Sequence, residues 1–386
     1  MNQGHARKGR QDHSLATGKS VVIVGAGGTI GSHLAPHIGR MARVGVVTLI
    51  DHDRYEARNM NSQEIEARDV GKRKVDVQGR RIRRINRQMA IRTIAKRVED
   101  VPLGVLRGDI ILACLDSRKA RMTVNEAAWR LGVPWSAAGI GGDDWIARVN
   151  AYLPDEGSPC MECTWNNEDY AAIEQSYPCD GGADRTAPTN APSHLGAMAA
   201  AIQAAECEKM LADSGGVTLV SRQLVVEMRN QGQIISRETR NPNCRFDHRI
   251  LDIRPVKIAS TRVSVGELLQ TLRSSGGGGE RAIELPGHTF VKSLVCRVCQ
   301  RESSRRLRIA RRLTDRESRC SACGGRMIAR GFDQVERVRV DQLENSDRLQ
   351  TLQSVGLRDG DVLGISEGHE VMMVELKLDH REKGGE

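Results

Sequence analysis

Aromatic residues are scarce in this chain of 386 residues: four Trp, four Tyr and three Phe make up 3% of it. Its cores must therefore rest on Val, Ile, Leu, Ala and Met. No apolar run approaches the roughly 20 residues that a membrane-spanning helix needs, so a membrane partner is not expected. The first 19 residues are polar and mixed in sign. They lack the apolar centre of a secretory leader and read as a flexible arm. The dehydrogenase spacing G-x-G-x-x-G is also missing, because the third glycine arrives one residue late. These absences point to a cytoplasmic chain, and its length points to two or three domains.

Charge and cysteine are present in quantity. The formal net charge is +9, mostly from arginine, and the excess concentrates between Lys292 and Arg330. Such a balance can favour nucleic acid or an acidic protein, but it also describes solvated faces of an arginine-rich chain, the reading preferred here. The ten cysteines include three C-x-x-C pairs. In a cytoplasmic chain that pattern points to metal rather than to disulfides.

The organising stretch is 20–51. A short β-branched run, 21–24, is followed by Gly25-Ala-Gly27-Gly28-Thr-Ile-Gly31-Ser32, an amphipathic segment, and a second apolar run ending in Asp51. The order is strand, glycine turn, helix, strand. Such a turn lets backbone approach a phosphate at a helix N-terminus, and an acid ending the second strand can accept hydrogen bonds from ribose hydroxyls.

Further elements follow in order. Leu34, Ile38 and Met41 share a helix face. A basic helix is expected from Asp69, its N-cap, to Asn86, with Val75, Val77, Ile82 and Ile85 toward the sheet. A strand over 109–116 ends in Asp116 and a helix starts at Ser117. Strands follow at 132–139 and 147–153. Trp129, Trp135 and Trp145 read as core or half-core residues. Residues 166–194 read as a loop, 195–212 as a buried helix, and 224–228 with 233–237 as a hairpin. Beyond 255 the texture changes. Residues 263–272 read as strand then helix and 276–279 as a linker. Cys296, Cys299, Cys320 and Cys323 have the spacing of a zinc ribbon, about 292–328, whose four thiolates form a closed structural site. Residues 335–378 read as strands joined by a turn, similar to part of a β-grasp domain. The expected division is an arm (1–19), a nucleotide-binding domain (20–254) and an accessory domain (255–386).

Residues 20–250, about three fifths of the chain, resemble the ThiF/MoeB/HesA superfamily, which includes the adenylation domains of ubiquitin-activating enzymes. The motifs are several and ordered. Gly25, Gly27, Gly28 and Gly31 match the ATP loop, one residue longer than usual. Asp51 and Asp53 match paired aspartates after the second strand. Asn59-Met-Asn61-Ser62-Gln63 matches an Asn-Leu-Asn-Arg-Gln motif, with serine in place of its phosphate-binding arginine. Gly71-Lys-Arg-Lys74 matches Gly-x-x-Lys, and Asp116 with its following arginines matches the start of the sixth-strand loop.

The resemblance implies an α/β, Rossmann-like open-sheet enzyme of the bacterial ubiquitin-like conjugation type. It would use ATP and Mg²⁺ to adenylate the C-terminal glycine of a ubiquitin-like or sulfur-carrier protein. Lys74 would neutralise phosphate, Asp116 would hold Mg²⁺, Asp51 the ribose, and Asn59 and Gln63 the phosphates. Arg54, Arg58 or the arm's Arg10 can stand in for the arginine absent at Ser62. Cys179, in a loop rich in Gly and Pro, would carry a thioester, its thiolate favoured by Arg185 or His194. Cys114 and Cys207 read as inert core thiols. Cys160 and Cys163 match the first half of the family's zinc site, and Cys244 with His248 would complete it. A homodimer and a conjugating enzyme are implied partners. Two other readings stand beside this one: a MoeB-like enzyme without the thioester, and a nucleic-acid-binding protein with a degenerate nucleotide domain. Of these, nucleic acid is the less expected partner.

Overall fold

The computed structural model describes residues 18–174, 191–212, 217–258, 262–272, 281–367 and 370–378. The chain divides into two compact units: residues 1–99 with 107–249, and residues 100–106 with 250–386.

In the first unit the described elements run β1 (Lys19–Val24), α1 (Gly31–Ile38), β2 (Val44–Ile50), α2 (Lys74–Ile85), β3 (Ala90–Ile94), β4 (Ile110–Ala113), α3 (Arg118–Leu131), β5 (Trp135–Gly141), β6 (Ile146–Tyr152), α4 (Asn167–Glu174), α5 (Ser193–Leu211), β7 (Arg222–Glu227) and β8 (Gly232–Arg237). They build one eight-stranded sheet, ordered β3-β2-β1-β4-β5-β6-β7-β8. β3 through β5 are parallel, and β6, β7 and β8 add antiparallel strands. β2 lies on one side of β1 and β4 on the other, so the strand order reverses at β1. Open α/β sheets bind ligands at that point, beyond the carboxyl ends of the strands.

The core follows from strand alternation. Val21, Ile23, Leu49 and Leu112 pack with Leu34 and Ile38 of α1, Ile82 of α2 and the small residues Ala199, Ala200 and Ala204 of α5. The intervening residues Val22, Val24 and Ile111 are equally buried. Both sheet faces are therefore covered, as parallel sheets require.

Several local expectations change. The basic helix begins at Lys74, not Asp69, because Gly71 takes φ +82° and Arg73 is extended. Asp69 instead ends its own short turn, where its carboxylate accepts the Glu66 amide at 3.3 Å. Ile85 is 36% exposed. Trp145 sits at φ +52° between β5 and β6 and is 40% exposed, so it is not a core residue. Residues 167–174 form α4 rather than loop; Arg118 pairs with its Asp169 at 3.2 Å.

The second unit contains β9 (Ile253–Ile258), α6 (Val265–Thr271), β10 (Arg281–Glu284), β11 (Phe290–Val291), β12 (Val295–Cys296), β13 (Arg308–Ile309), β14 (Met327–Ile328), β15 (Gln334–Val335), β16 (Arg337–Arg339), α7 (Asn345–Arg348), α8 (Leu352–Val355), β17 (Val362–Glu367) and β18 (Glu370–Leu378). Its main sheet is ordered β16-β10-β17-β18-β9, with β9 parallel to β18 and the other pairs antiparallel. The stretch 335–378 thus shares its sheet with β9 and β10, which precede the cysteine-rich segment. Val263 is not in a strand; Ser264 caps α6 with a reciprocal Glu267 bond.

Candidate nucleotide site and metal centres

A cavity of about 790 Å³ opens at the carboxyl ends of β1, β2, β3 and β4. Gly25 turns the chain out of β1 at φ +78°, and a Cβ there would lie 2.3 Å from the Cys114 carbonyl. Gly27 has a different duty: a Cβ on it would strike the Lys74 stem at 2.3 Å. The bare turn therefore makes room for a lysine as well as for a ligand.

Asp51 is nearly buried, and each carboxylate oxygen accepts one amide, from Gly27 at 2.9 Å and Asp53 at 3.0 Å. Burial pushes its pKa up, against Lys74 and those two amides. Asp51 thus locks the glycine turn to the end of β2 and keeps a lone pair on each oxygen for a hydroxyl donor. Lys74 has a side chain only 8% exposed. Its Nζ lies 3.3 Å from Asp53 and 5.7 Å from the centre of the Tyr55 ring. A buried cation with one half-exposed partner is suited to neutralising a phosphate.

Asn59 is half-buried and accepts the Glu56 amide through Oδ1 at 2.9 Å, which leaves its NH₂ to donate. Gln63 carries a buried side-chain oxygen with no partner among the described residues. That acceptor suits a ligand hydroxyl or amine, whereas a phosphate would take the NH₂ of the same amide. Gly28 and Asp116 also line the cavity; a Cβ on Gly28 would meet nothing closer than 3.6 Å, and Asp116 is exposed. Gly31 packs against the Gly25 carbonyl. Ligand atoms of Asp51, His52 and Asp53 lie within 4.8 Å of one another, a grouping that does not include Asp116. The exposed arginines proposed to replace the one absent at Ser62 both line the cavity, Arg54 donating to the Gly71 carbonyl and Arg58 pairing with Glu56. Cys179, Arg185 and Arg10 lie outside the described residues.

Three cations in this wall escaped sequence reasoning. Lys96 and Arg97 follow β3 and line the cavity; a basic pair just beyond a strand's carboxyl end was the available signal. Arg121, read from sequence only as part of a helix start, is the third. Its guanidinium donates to the Leu115 carbonyl at 2.9 and 2.5 Å and to the Ala138 carbonyl at 3.1 Å. Burial, then Arg148, lowers its pKa.

The other candidate thiols fall into two quartets. Cys160, Cys163, Cys244 and His248 converge, with Cys160 Sγ 3.8 Å from Cys244 Sγ and 3.9 Å from Cys163 Sγ, and Cys163 Sγ 3.2 Å from His248 Nε2. Tetrahedral zinc with Zn–S of about 2.3 Å places sulfurs roughly 3.8 Å apart, so this donor set fits the ion. Trp129 packs edge-on against His248 at 4.8 Å and orients it. Cys296, Cys299, Cys320 and Cys323 converge likewise, with Sγ separations of 3.4, 3.6 and 3.5 Å. The amides of Val298 and Ala322 donate to Cys296 and Cys320, as knuckle amides do for thiolates. Cys114 and Cys207 are buried, and burial raises both thiols, Cys207 to about 12. Neither is a competent nucleophile at neutral pH.

Known proteins resemble this part of the chain. A family model described as ThiF family matches residues 7–246. Ubiquitin-like modifier-activating enzyme 5 of Oryza sativa subsp. japonica is 30% identical over 159 residues, 37% of this chain and 37% of the relative. The Bombyx mori protein of the same name is 29% identical over 158 residues, 38% and 39% of the two chains. This chain therefore spans about two fifths of the length of the curated relatives it matches. A crystal structure of E. coli MccB with succinimide is 24% identical with a TM-score of 0.50, covering 60% of this chain and 67% of that one. That likeness is one of fold. Among the described residues, no helix is long and apolar enough to cross a membrane.

Proposed function

We propose, on the premise that this chain belongs to the ThiF family, that it uses ATP to activate the C-terminal carboxylate of a small ubiquitin-like protein. A carboxylate oxygen attacks the α-phosphorus, the bond to the bridging oxygen breaks, and pyrophosphate leaves with AMP joined to the acyl group. Lys74 carries the reading. It is a buried cation of the cavity, paired with Asp53 and packed on Gly27 at the point where strand order reverses. Asp51 would take the ribose, the NH₂ groups of Asn59 and Gln63 the phosphates, and Arg121 would hold the loop that carries Asp116. Mg²⁺ would be held by Asp116 and would supply charge neutralisation.

The names of the curated relatives favour a ubiquitin-like substrate over a sulfur carrier, and the charged cavity speaks against a degenerate nucleotide domain. Thioester formation on Cys179, a homodimer and a conjugating-enzyme partner complete the proposal.

The test is ATP–pyrophosphate exchange stimulated by a small protein ending in Gly-Gly. Lys74→Met keeps the apolar stem, and Asp116→Ala removes an exposed group. Each should lower exchange at least about a hundredfold with the fold intact, as loss of a transition-state charge contact does. Cys179→Ala should keep exchange and lose the thiol-sensitive enzyme–modifier adduct. Loss of exchange as well would favour the MoeB-like alternative, with the loop shaping the site. No exchange in the unaltered enzyme with any Gly-Gly-ended protein would defeat the proposal.

A further inference from the structure

Residues 292–330 contain twelve Lys and Arg and three Asp and Glu. The remaining 347 residues hold 46 of each sign, so these 39 residues carry the whole +9 of the chain. Four thiolates around a dication would still leave the segment strongly positive.

Some of these cations have structural duties. Arg306 and Arg308 pair with Glu317, Lys292 with Asp347, Arg330 with Glu302, and Arg312 is buried against Asp361. Others lie exposed around the cysteine quartet. Arg319 and Arg326 face each other across a β-bridge, and the Arg297 amide donates to the Arg326 carbonyl at 2.9 Å. Three exposed arginines thus sit on adjacent backbone, an arrangement that like-charge repulsion disfavours. Arg301 and Arg316 are exposed as well, their carbonyls accepting the Cys296 and Arg319 amides at 2.9 and 3.5 Å. Phe332 is 80% exposed, with the Arg330 guanidinium 5.8 Å from its ring centre; that arginine pairs with Glu302, which bridges Val295 two residues before Arg297. The chain has only three Phe. Phe290 is buried and Phe246 packs on Trp129; Phe332 alone stands in solvent.

We propose that this face of the second unit binds single-stranded nucleic acid, independently of the adenylation reaction. Eleven of the twelve cations are arginine, whose planar fork suits phosphate oxygens bidentately. A spread of like charges fits a linear polyanion, and an exposed aromatic beside them offers a stacking platform for an unpaired base. An acidic protein would account for the charge but gives Phe332 no base to stack on. This assignment reverses the expectation from composition, which took the excess charge for solvated faces.

The experiment is fluorescence anisotropy of the full zinc-loaded chain with a labelled 20-nucleotide oligo-dT at 50 and 200 mM salt. Binding should weaken with a log–log salt slope of about −0.7 per phosphate contacted. The triple change Arg297→Gln, Arg319→Gln, Arg326→Gln should weaken binding at least tenfold and reduce the slope by about 2. Phe332→Ala should weaken binding severalfold with the slope unchanged. Zinc content and pyrophosphate exchange should match the unaltered protein in both variants, and the thermal midpoint should not fall in the triple variant. No anisotropy change at 50 mM salt overturns the proposal. So does binding untouched by the folded, zinc-replete triple variant, or capture of poly-glutamate in preference to the oligonucleotide.

Discussion

The first unit buries Trp129, Trp135, Ile23, Leu34 and Leu49 around an eight-stranded sheet. Its buried carboxylates, apart from Glu206, are met mainly by neutral donors. Glu162 accepts from Asn125 and Tyr170, Glu238 from Asn150, and Asp51 from two amides. Most strands of the second unit are shorter, and it sets ions against ions: Arg312 with Asp361 at 2.6 Å, both buried, and the half-buried Lys292 with buried Asp347 at 2.8 Å. Around the ribbon cysteines the buried cluster is only Val291, Leu294, Cys296, Cys320 and Met327. The second unit has its own apolar core, with Leu268, Leu352, Leu363 and Leu376, but the small cluster around the ribbon cysteines must borrow order from metal.

Metal removal should separate the two units most sharply. We expect two zinc ions per chain. Cys320→Ser should lose one and release the segment 292–328, because structural zinc contributes on the order of 10 kcal/mol and five buried side chains cannot replace it. Cys244→Ser should lose the other ion and leave the first sheet standing. All four tryptophans lie between 129 and 165, in the first unit, so their emission reports that unit alone. Elemental analysis with Trp emission checks both variants. Collapse of Trp emission in Cys320→Ser would break the contrast, and one zinc per chain in the unaltered protein, unchanged by Cys244→Ser, would dismiss the second quartet.

What could be read from sequence was mostly local. The glycine turn, Asp51 and Lys74 stand at spacings that strand, turn and helix geometry impose, and the C-x-x-C pairs are knuckles whatever surrounds them. The errors had specific causes. Gly71 at positive φ set the start of α2 against the N-cap signal at Asp69. A positive φ put the bulky Trp145 in solvent. α4 is polar enough to look like loop and is held by tertiary contacts, including the Tyr170 hydroxyl on Glu162. The pairing of β9 with β18 joins strands more than a hundred residues apart, and no local pattern encodes that partnership. Lys96 and Arg97 reach the cavity because β3 runs parallel beside β2, which depends on topology rather than on a motif.

Breaking one buried pair should cost less than losing a metal and still separate the units. Asp361→Asn leaves Arg312 charged and buried, an uncompensated charge worth about 3–5 kcal/mol. Glu238→Gln in the first unit should cost under about 1 kcal/mol. Burial already favours the neutral form of Glu238, so the amide replaces a group of similar polarity. Denaturant midpoints followed by hydrogen exchange in β8 and β17 would measure both. Equal losses in the two variants would show that paired and unpaired buried carboxylates are equivalent here.

Acidification should have the smallest effect, and its sign differs between the units. His288 accepts from Arg312 Nη2 at 3.1 Å, and its other ring nitrogen is buried without a partner among the described residues. Burial, then Arg312, lowers its pKa to about 4. The unfolded chain therefore takes up a proton near pH 6.5 that the folded unit refuses, and stability is lost as pH falls from about 6.5 toward 4. With the ring partly solvated, the loss should be on the order of 2 kcal/mol. Glu317 adds a second loss below about 4.5. Burial pushes it upward, but the Thr314 amide and hydroxyl and Arg306 outweigh that and hold it at about 2. In the first unit Asp51, Glu162 and Glu238 are all raised by burial. Each then binds its proton more readily folded than unfolded, so acidification relieves strain there, opposed by His33, which burial lowers. Between pH 7 and 5.5, hydrogen-exchange protection in β17 and β18, taken relative to the intrinsic rate at each pH, should fall while Trp emission stays constant and zinc content holds at its neutral value. His288→Phe should abolish the pH dependence in β17, since an apolar ring has no proton to refuse. If the dependence survives that substitution, the acid sensitivity belongs to the ion pairs rather than to the histidine.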